Sequence, residues 1–569
     1  MNIFYIIASI SLIVPIPVGL LMNIDYCGTD FPIFVGLILQ AILGNFILYY
    51  VKGYEGKARN LVFVGYFIFF LGLSGAYLSG KTIWIAFWWE VSTVGAIFLY
   101  SGTGFGKKTI SSFIALSLAS SISAIFLLAW VFLPESRLGY QFLMAALMLK
   151  AAFSGLHIWL PEAHSGPPGH GSAAFSGLMV NLPLLLFVRF LLDKGKELSG
   201  MEVLIPIASI GIFFGGISGF FEKDAKRALA YSTIEKCNFM WFSLLMGTFW
   251  INSNIEDYRY VSKAFIVLFY IIIIHHSFSK VFQFLALGYI TKIAGSTIID
   301  ECKGIGRISG FSSFQLGAGT FSFASIPGTS GFFMETFLLL LISKLIDVST
   351  SVISIIFLFS ALMILIGMVI GTFSHLRLFL PVVLSVPSKA VSESVKSNHP
   401  NIHSEIYNSI VILGYSIFIV PVLFIFPLFF SFALNSYLSL EFIQWLRSNG
   451  FISLACSIGY IVIIVYRRSI TKRRLWDCGT NYVGSELSIT SSLFSDPLYD
   501  SFGRYFINKN GEIYIDHYFQ RGIIKFFNIG KYWIQKVEEG SISFYMFISA
   551  LSVIFVMSVF AYLLMSGHY

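Results

Sequence analysis

Charged side chains are scarce in this sequence. Asp, Glu, Lys and Arg make up 12% of its 569 residues, whereas soluble domains carry roughly 25%. Hydrophobic residues make up 56% of the chain, and the mean hydropathy is +0.80. This composition excludes an ordinary soluble domain and predicts a polytopic membrane protein in a lipid bilayer. The formal net charge of +8 reflects the basic loops that orient such a protein, and it gives no indication of nucleic-acid binding.

Cysteines are also few, and they follow no pairing pattern. They are Cys27, Cys237, Cys302, Cys456 and Cys478. Their spacing predicts neither a disulfide framework nor a zinc or iron–sulfur site. The sequence also lacks a P-loop, a glycine-rich dinucleotide fingerprint and a nucleophile–base pattern. We therefore expect no cofactor and no metal in this chain, and we assign any redox chemistry to partner subunits.

Hydrophobic runs of about 20 residues, the length that crosses a bilayer as a helix, recur along the chain. We predict an all-α fold with about fifteen transmembrane helices. Their predicted centres lie near residues 13, 42, 70, 92, 121, 150, 182, 211, 239, 273, 327, 363, 420, 458 and 554. The first run, Ile3 to Leu21, lacks a basic leader, so we expect it to be retained as a helix.

Lys150 gives the first indication of function. It lies within an apolar run at bilayer depth, where a charged side chain is costly and usually has a role. Glu90 lies near the middle of another span, TIWIAFWWEVSTVGAIFLY. Burial favours the neutral carboxyl and a nearby lysine favours the carboxylate, so Glu90 and Lys150 together would form a proton switch. The alternative is that a neighbouring hydroxyl, Ser92 or Thr93, satisfies Glu90.

After Lys150 the predicted helix breaks at Pro161, and titratable residues surround the break. They are His157, Glu162, His164 and His170. Non-helical backbone at membrane depth is tolerated only where protein buries it or water reaches it. We therefore expect a hydrated cavity at this break.

The same design recurs downstream. His276 and Lys280 are four residues apart and share a helix face, next to His275. A lone buried histidine is more often structural, but a histidine–lysine pair in so apolar a helix favours a proton relay. The following segment, Ala318 to Leu341, is interrupted by SIPGTSG, and Glu335 lies beyond the interruption. Two interrupted segments in corresponding halves indicate a transport path built from internal repeats.

These motifs resemble the antiporter-like subunits of respiratory complex I and its hydrogenase relatives. The resemblance is greatest to the large membrane subunit of formate hydrogenlyase and hydrogenase-4 type complexes. The similar stretches occur in the order WWEVSTVGAIFLY, LKAAFSGLHIWLPEAHSGPPGHGSA, DAKRALAYSTIE, HHSFSK and SIPGTSGFFMETF. Nearer the C-terminus, LWDCGTNYVGSELSITSSLFSDPL is similar to the tail that marks the hydrogenase-associated branch.

The resemblance implies two inverted five-helix repeats, each with a broken helix, and a proton path along the membrane midplane. It matches Glu90 to the family's coupling glutamate, Lys150 to the lysine of the first half, and Lys280, with His276, to the lysine of the HxxxK helix. Our candidates for proton translocation are Glu90, Lys150, His157, His276, Lys280 and Glu335. Our candidate relay residues are Asn181, His164, His170 and His275.

Six parts of the chain follow from these assignments. They are N-terminal scaffold helices (1–80), a first antiporter-like repeat (81–220), a second antiporter-like repeat (221–375), C-terminal transmembrane helices (376–466), a hydrophilic or interfacial segment (467–541) and a last transmembrane helix (542–569).

One departure from the family pattern concerns Asn181. The family places a central lysine in this helix, whereas this chain reads Met179-Val180-Asn181-Leu182-Pro183. Asn181 cannot titrate, although it can hydrogen-bond a water. The proton path could pass through such a water, detour by His157 or His170, or be interrupted in this half.

Three functions remain open on the sequence. The first is a proton-translocating subunit of a redox-driven complex, with other membrane subunits and a peripheral arm of hydrogenase-like and iron–sulfur subunits as partners. The second is a structural membrane anchor of such a complex with weakened pumping. The third is a stand-alone cation/proton antiporter. For each of them we expect a multi-pass protein of a prokaryotic cytoplasmic membrane.

Overall fold

The computed structural model describes most of residues 3–397, together with residues 444, 490 and 491. Within 3–397 the gaps are residues 23, 25–29, 57–58, 81–82, 103–106, 193, 195–197, 199, 252–255, 308–309, 327–328 and 349–350. The spans predicted near residues 420, 458 and 554, and nearly all of the hydrophilic segment 467–541, lie outside the described residues.

Helices account for almost all of the regular structure. The α-helices are α1 (Ile3–Ile13), α2 (Pro15–Leu21), α3 (Phe31–Tyr54), α4 (Arg59–Leu78), α5 (Trp84–Phe98), α6 (Lys107–Phe132), α7 (Arg137–Lys150), α8 (Trp159–Ser165), α9 (Gly169–Ala174), α10 (Asn181–Leu191), α11 (Leu204–Phe221), α12 (Ala225–Trp250), α13 (Glu256–Ala294), α14 (Gly310–Phe323), α15 (Ser330–Val348), α16 (Ser351–Leu384) and α17 (Lys389–Ser397). A π-helical turn, Phe175–Met179, joins α9 to α10. The part of the chain that the structure describes contains no β-strand, only an isolated bridge between Asp224 and Ile298.

Seven helical stretches in the described ranges are long and apolar enough to cross a membrane. They are Phe31–Tyr54, Arg59–Leu78, Lys108–Phe132, Gly169–Leu191, Leu204–Phe221, Tyr258–Ala294 and Ile355–Leu384. The prediction of an all-α membrane protein with several spans is therefore confirmed. Helix α12 is also long, at 26 residues, but it carries four charged side chains.

The second break lies where it was predicted, but the first was wrongly placed at Pro161: α7 already ends at Lys150, and Pro161 lies inside α8, whose first turn tolerates a proline. Left-handed backbone marks both breaks. After α7, Ala152 has φ 49° and Gly155 has φ 86° before α8 begins. After α14, Ser325 has φ 50° before α15 begins. A non-glycine residue in this region costs about 1–3 kcal/mol and persists only where surrounding contacts impose it. The two breaks therefore share a local conformation as well as a place after a buried helix.

Close helix packing positions Glu90. Helices α4 and α5 approach through two glycines: a Cβ atom on Gly72 would lie 2.2 Å from the backbone nitrogen of Ser92, and one on Gly95 would lie 2.2 Å from that of Phe69. Small residues at such crossings let helix backbones touch in membrane proteins. The tight contact fixes α5, and with it the depth and direction of Glu90.

Helix α13 lies at the centre of the described bundle. Over 39 residues it packs against α3, α9, the π-helical turn, α12, α14 and α15. Gly169 of α9 meets Gly288 of α13, since a Cβ on Gly169 would lie 2.4 Å from the Gly288 Cα. Helix α13 therefore contacts elements of both predicted repeats.

Candidate functional site

Glu90 and Lys150 lie in one buried environment in the first half of the chain. Glu90 is 1% exposed, and neither carboxylate oxygen has a hydrogen-bond partner among the described residues. Lys150, the last residue of α7, is also 1% exposed. Its ammonium donates to the Ser120 hydroxyl and lies 5.6 Å from the ring centroid of Trp89. The charges of Glu90 and Lys150 interact electrostatically, so the structure brings the predicted glutamate and lysine together.

The hydroxyls next to Glu90 have other acceptors. Ser92 Oγ donates to the Trp89 carbonyl at 2.7 Å, and Thr93 Oγ1 donates to the same carbonyl at 3.2 Å. The alternative in which one of these hydroxyls satisfies Glu90 is therefore wrong for this structure. The carboxyl group is left with Lys150 as its charged neighbour.

The titratable residues around the first break do not share one set of partners. His157 Nδ1 accepts from the Gly155 backbone N–H at 3.2 Å, inside the break. Glu162 lies on α8 and accepts from Ser111 Oγ at 2.5 Å and from Arg227 Nη1 at 2.6 Å. The Glu162 side chain is 26% exposed, so it belongs to an interfacial ion pair between α8 and α12.

The other two histidines of this region also separate. His164 is fully buried, stacks on Phe284 with ring centroids 4.8 Å apart, and has no hydrogen-bond partner on either ring nitrogen within the described chain. His170 Nε2 lies 2.7 Å from a Glu55 oxygen, and its Nδ1 lies 2.9 Å from the Tyr66 hydroxyl. His164 is thus a buried, unpartnered imidazole, whereas His170 links the start of α9 to the loop after α3.

Asn181 follows the π-helical turn and is 1% exposed. Its Nδ2 donates to the Gly177 carbonyl and to the Ser277 hydroxyl, both at 2.7 Å. Its Oδ1 has no partner among the described residues. The turn presents a second carbonyl, Ser176 O, which lies 3.0 Å from His276 Nε2. Single π-turns are frequent at functional sites, and this one joins Asn181 to the histidine helix α13.

The predicted relay residues of α13 lie in the second half and are all buried. Lys280 Nζ donates to the Ser232 hydroxyl and, at 3.1 Å, to the Leu229 carbonyl. His275 Nδ1 lies 2.6 Å from Ser330 Oγ, the first residue of α15. His276 turns toward the π-helical turn instead. His275 therefore contacts α15, whereas the adjacent His276 contacts the π-helical turn.

Glu335 has a partner that sequence reasoning missed. On α15, its Oε1 lies 3.3 Å from Lys236 Nζ, and Lys236 Nζ is also 2.8 Å from Glu235 Oε1. The three side chains are 9% exposed or less. The sequence did contain a signal, the adjacent charges Glu235 and Lys236 inside the apolar helix α12. Without knowledge that α15 packs beside them, however, these two residues resemble ordinary helix charges.

Phe323 and His375 were missed as well. Phe323 is the last residue of α14, and its ring centroid lies 4.3 Å from Lys280 Nζ and 5.6 Å from Lys236 Nζ. His375 of α16 stacks on the same ring at 4.7 Å. One aromatic ring at the second helix break therefore contacts both buried lysines. An apolar aromatic gave no sequence signal for such a position.

Within the described ranges, no group of three or more His, Cys, Asp or Glu side chains could hold a metal ion. Cys237 and Cys302 are buried free thiols. The site also contains buried ammonium, carboxyl and imidazole groups, which can bind and release protons.

Comparisons with known proteins find related membrane proteins. One subunit of the Na(+)/H(+) antiporter of Alkalihalophilus pseudofirmus is 24% identical over 350 residues, which cover 57% of this chain and 67% of that protein. Hydrogenase-4 component B of Escherichia coli is 27% identical over 244 residues, 42% of this chain and 34% of that protein. The chain thus spans about a third of the second relative. Both relatives are named as parts of larger assemblies.

The fold has solved relatives. A chain in the structure of the membrane-bound sulfane sulfur reductase, an archaeal respiratory membrane complex, superposes with a TM-score of 0.60 at 18% identity, covering 93% of this chain and 88% of that one. At this identity the match shows a shared fold. Residues 93–364 match the transmembrane family described as NADH:quinone oxidoreductase/Mrp antiporter. Over these residues, just under half of its length, the chain is similar to this family, and it is an antiporter-like, multi-pass membrane protein.

Proposed function

We propose that this chain is the proton-translocating subunit of a redox-driven membrane complex, in which electron transfer in a peripheral arm drives proton movement through buried Glu, Lys and His side chains. The observation that carries the proposal is the burial of two lysines, Lys150 and Lys280, each beside a broken helix and each interacting with a buried glutamate. Ionisable residues at membrane depth are expensive and typically mark ion paths.

Two charge centres support a stepwise path. The first contains Glu90 and Lys150, and the second contains Lys280 and Glu335. Asn181 and His276 both hydrogen-bond to carbonyls of the π-helical turn, which joins α9 and α10 of the first half to α13 of the second. We propose roles in proton transfer for these six residues, and for His157 at the first break. We propose His164 and His275 as relay residues, since each has a ring nitrogen without a partner among the described residues. His170, which lies against Glu55, is a third proposed relay residue.

We further propose the finer architecture, with about fifteen transmembrane helices and two inverted five-helix repeats over residues 81–220 and 221–375. The similar left-handed residues at the two breaks, Ala152 and Ser325, support this symmetry. The scaffold helices 1–80 and the segments 376–466, 467–541 and 542–569 would complete the subunit. The proposed location is a prokaryotic cytoplasmic membrane.

The test of the redox-driven assembly is purification of the protein at its native expression level, in mild detergent, with mass spectrometry of what accompanies it. Hydrogenase-like and iron–sulfur subunits, together with other membrane subunits, are the expected partners. If only further antiporter-like membrane subunits accompany the chain, the proposal that this protein works with a peripheral redox arm is wrong.

That second result would favour another function, a cation/proton antiporter without redox drive. The similarity to the Alkalihalophilus antiporter, which covers two thirds of that relative, is the observation in its favour. The two functions differ in their driving force. An antiporter in vesicles would alkalinise or acidify the lumen on addition of NaCl alone, and a redox-driven pump would not.

Asn181 favours a third function, a membrane anchor with weakened pumping, because an amide replaces an ionisable group. Its two hydrogen bonds and its unpartnered Oδ1 instead fit a position that orients a water. The substitution Asn181→Lys distinguishes these cases. A rise in the ion-to-electron ratio would mean that the path is broken there, whereas an unchanged or lower ratio is expected if water already bridges it.

A further inference from the structure

The region around Phe323 contains four buried charged groups. They are Glu235 and Lys236 on α12, Lys280 on α13 and Glu335 on α15. We call these four residues the second-half cluster. Their exposed fractions run from 0% to 7%. From the sequence, we expected only Lys280 and Glu335 of these four to take part in proton translocation. The roles of Glu235 and Lys236 are therefore open.

The charges of the second-half cluster balance. Two carboxylates contribute −2 and two ammonium groups contribute +2, so the fully ionised cluster has a net charge of zero. Lys236 alone could not balance both glutamates, since Glu235 and Glu335 lie on either side of it at 2.8 and 3.3 Å. The fourth charge comes from Lys280, whose ammonium donates to the Ser232 hydroxyl, one turn before Glu235 on the same helix. A buried unpaired charge costs several kcal/mol, so each member depends on the others.

One carboxylate oxygen of Glu235 is available to accept a proton. Its Oε1 is taken by Lys236, but its Oε2 is buried and has no hydrogen-bond partner among the described residues. The carboxylate packs against α16 at Gly371, where a Cβ would lie 2.6 Å from Oε2. The absence of a side chain at Gly371 thus leaves room for this oxygen.

Resting on the function proposed above, we infer that Glu235 accepts the proton that Lys280 releases, and that Lys236 is the fixed counter-charge that makes this transfer neutral. In this step the N–H bond of the Lys280 ammonium breaks and an O–H bond forms on Glu235, leaving a neutral amine and a neutral carboxyl. Lys236 remains charged and Glu335 remains a carboxylate. The cluster has zero net charge before and after the transfer.

Because Glu335 is a second carboxylate beside Lys236, the proton transfer to Glu235 needs no additional counter-charge. When Glu235 is neutral, Lys236 keeps Glu335 as its partner across α12 and α15. The transfer therefore strengthens the contact between these two helices at the expense of the contact within α12. Phe323, which contacts both ammonium groups at the end of α14, links the cluster to the second helix break.

The decisive experiment compares balanced and unbalanced variants of the full complex in proteoliposomes. Electron transfer through the peripheral arm, started with reduced methyl viologen as the donor, drives proton uptake, which pyranine in the lumen reports. The double variant Glu235→Gln/Lys236→Met removes one charge of each sign, so its remaining cluster, Lys280 and Glu335, stays neutral. We expect it to assemble as the wild type does and to lose proton uptake to the level of empty liposomes. Glu235→Asp, which keeps a carboxyl, should retain uptake.

The matched control is Asp30→Asn/Arg189→Gln, which removes an ion pair of 3.0 Å outside the cluster. This control should take up protons at the wild-type rate. If Glu235→Gln/Lys236→Met assembles and also takes up protons at the wild-type rate, Glu235 and Lys236 are structural and the inference is wrong, while the proposed function stands. If the wild-type complex itself takes up no more than empty liposomes, both are wrong.

Discussion

Lys236 Nζ and Glu335 Oε1 lie 3.3 Å apart, although 99 residues separate them in the chain. The contact joins α12 to α15 just beyond the second helix break. It adds to the fold a buried ion pair that packing alone would not require, because apolar residues would fill the same space at no desolvation cost. The charge-moving role proposed above accounts for its presence.

The variant Lys236→Met should destabilise the protein strongly. It leaves Glu235 and Glu335 with only Lys280 to balance them, and breaking one partner of a buried pair costs about 3–5 kcal/mol. The midpoint of thermal unfolding in detergent, with Lys223→Met on the exposed surface as control, measures the effect. Because Glu235→Gln/Lys236→Met is balanced, it should recover most of the lost stability. A single variant as stable as the wild type would contradict the shared charge balance.

The variant Glu90→Gln should abolish proton uptake while leaving assembly unchanged. The amide has nearly the same shape as the carboxyl, and the described structure gives Glu90 no hydrogen bond that the substitution would break. What disappears is a proton-binding group that interacts with Lys150. Uptake in proteoliposomes and the yield of intact complex are the two readouts. Normal uptake by Glu90→Gln would remove this residue from the path.

The variant Asn181→Leu should lower proton uptake and cost about 1–3 kcal/mol of stability, because the Gly177 carbonyl and the Ser277 hydroxyl lose a buried donor. The matched control is Asn45→Leu on α3, where the asparagine also donates to the carbonyl four residues earlier, at 2.7 Å. The control should lose stability without losing uptake. Equal uptake by both variants would mean that Asn181 only supports the helix.

Glu55 gives a prediction about pH. It follows the end of α3, and although burial raises the pKa of its carboxyl, the hydrogen bond from His170 and the charges of His170 and Lys292 outweigh this and lower the pKa below its usual value. A lowered folded-state pKa stabilises the protein above the unfolded-state pKa, and this contribution is lost as the pH falls through the folded-state pKa.

The difference in unfolding midpoint between wild type and Glu55→Gln should accordingly be largest near neutral pH, begin to shrink near the usual glutamate pKa of about 4.3, and vanish below the lowered folded-state pKa. Tyr66→Phe, which removes the other hydrogen bond of His170 but no carboxyl group, is the control and should give a difference that varies less with pH. A Glu55→Gln effect that grows toward acid pH would contradict the sign of the shift.

The sequence predicted those features that depend on local pattern. Hydropathy indicated the membrane helices, and the isolated charges in apolar runs indicated Lys150, Glu90 and Lys280. A proline, glycine and serine cluster indicated the second helix break, although Pro327 and Gly328 lie outside the described residues. The first break precedes α8 and does not lie at Pro161, where it was predicted. Each of these signals resides within one segment of the chain.

The sequence could not predict which charges pair. Glu235 and Lys236 are adjacent and resemble ordinary helix charges, and only the approach of α15 makes Lys236 a partner of Glu335. The histidines of the first break looked like one cluster, yet His170 lies against Glu55 and His164 against Phe284. Tertiary contacts between distant helices decide both outcomes, and no residue pattern encodes them locally.

The most direct test of the central claim is redox-driven proton uptake by the natively purified complex in proteoliposomes, compared between wild type and Lys150→Met. Lys150 is buried, interacts with Glu90 and is the last residue before the first helix break. We predict uptake well above empty liposomes for the wild type and none above them for Lys150→Met, with the same subunits present in both. Equal uptake by the two complexes would contradict a proton path through this chain.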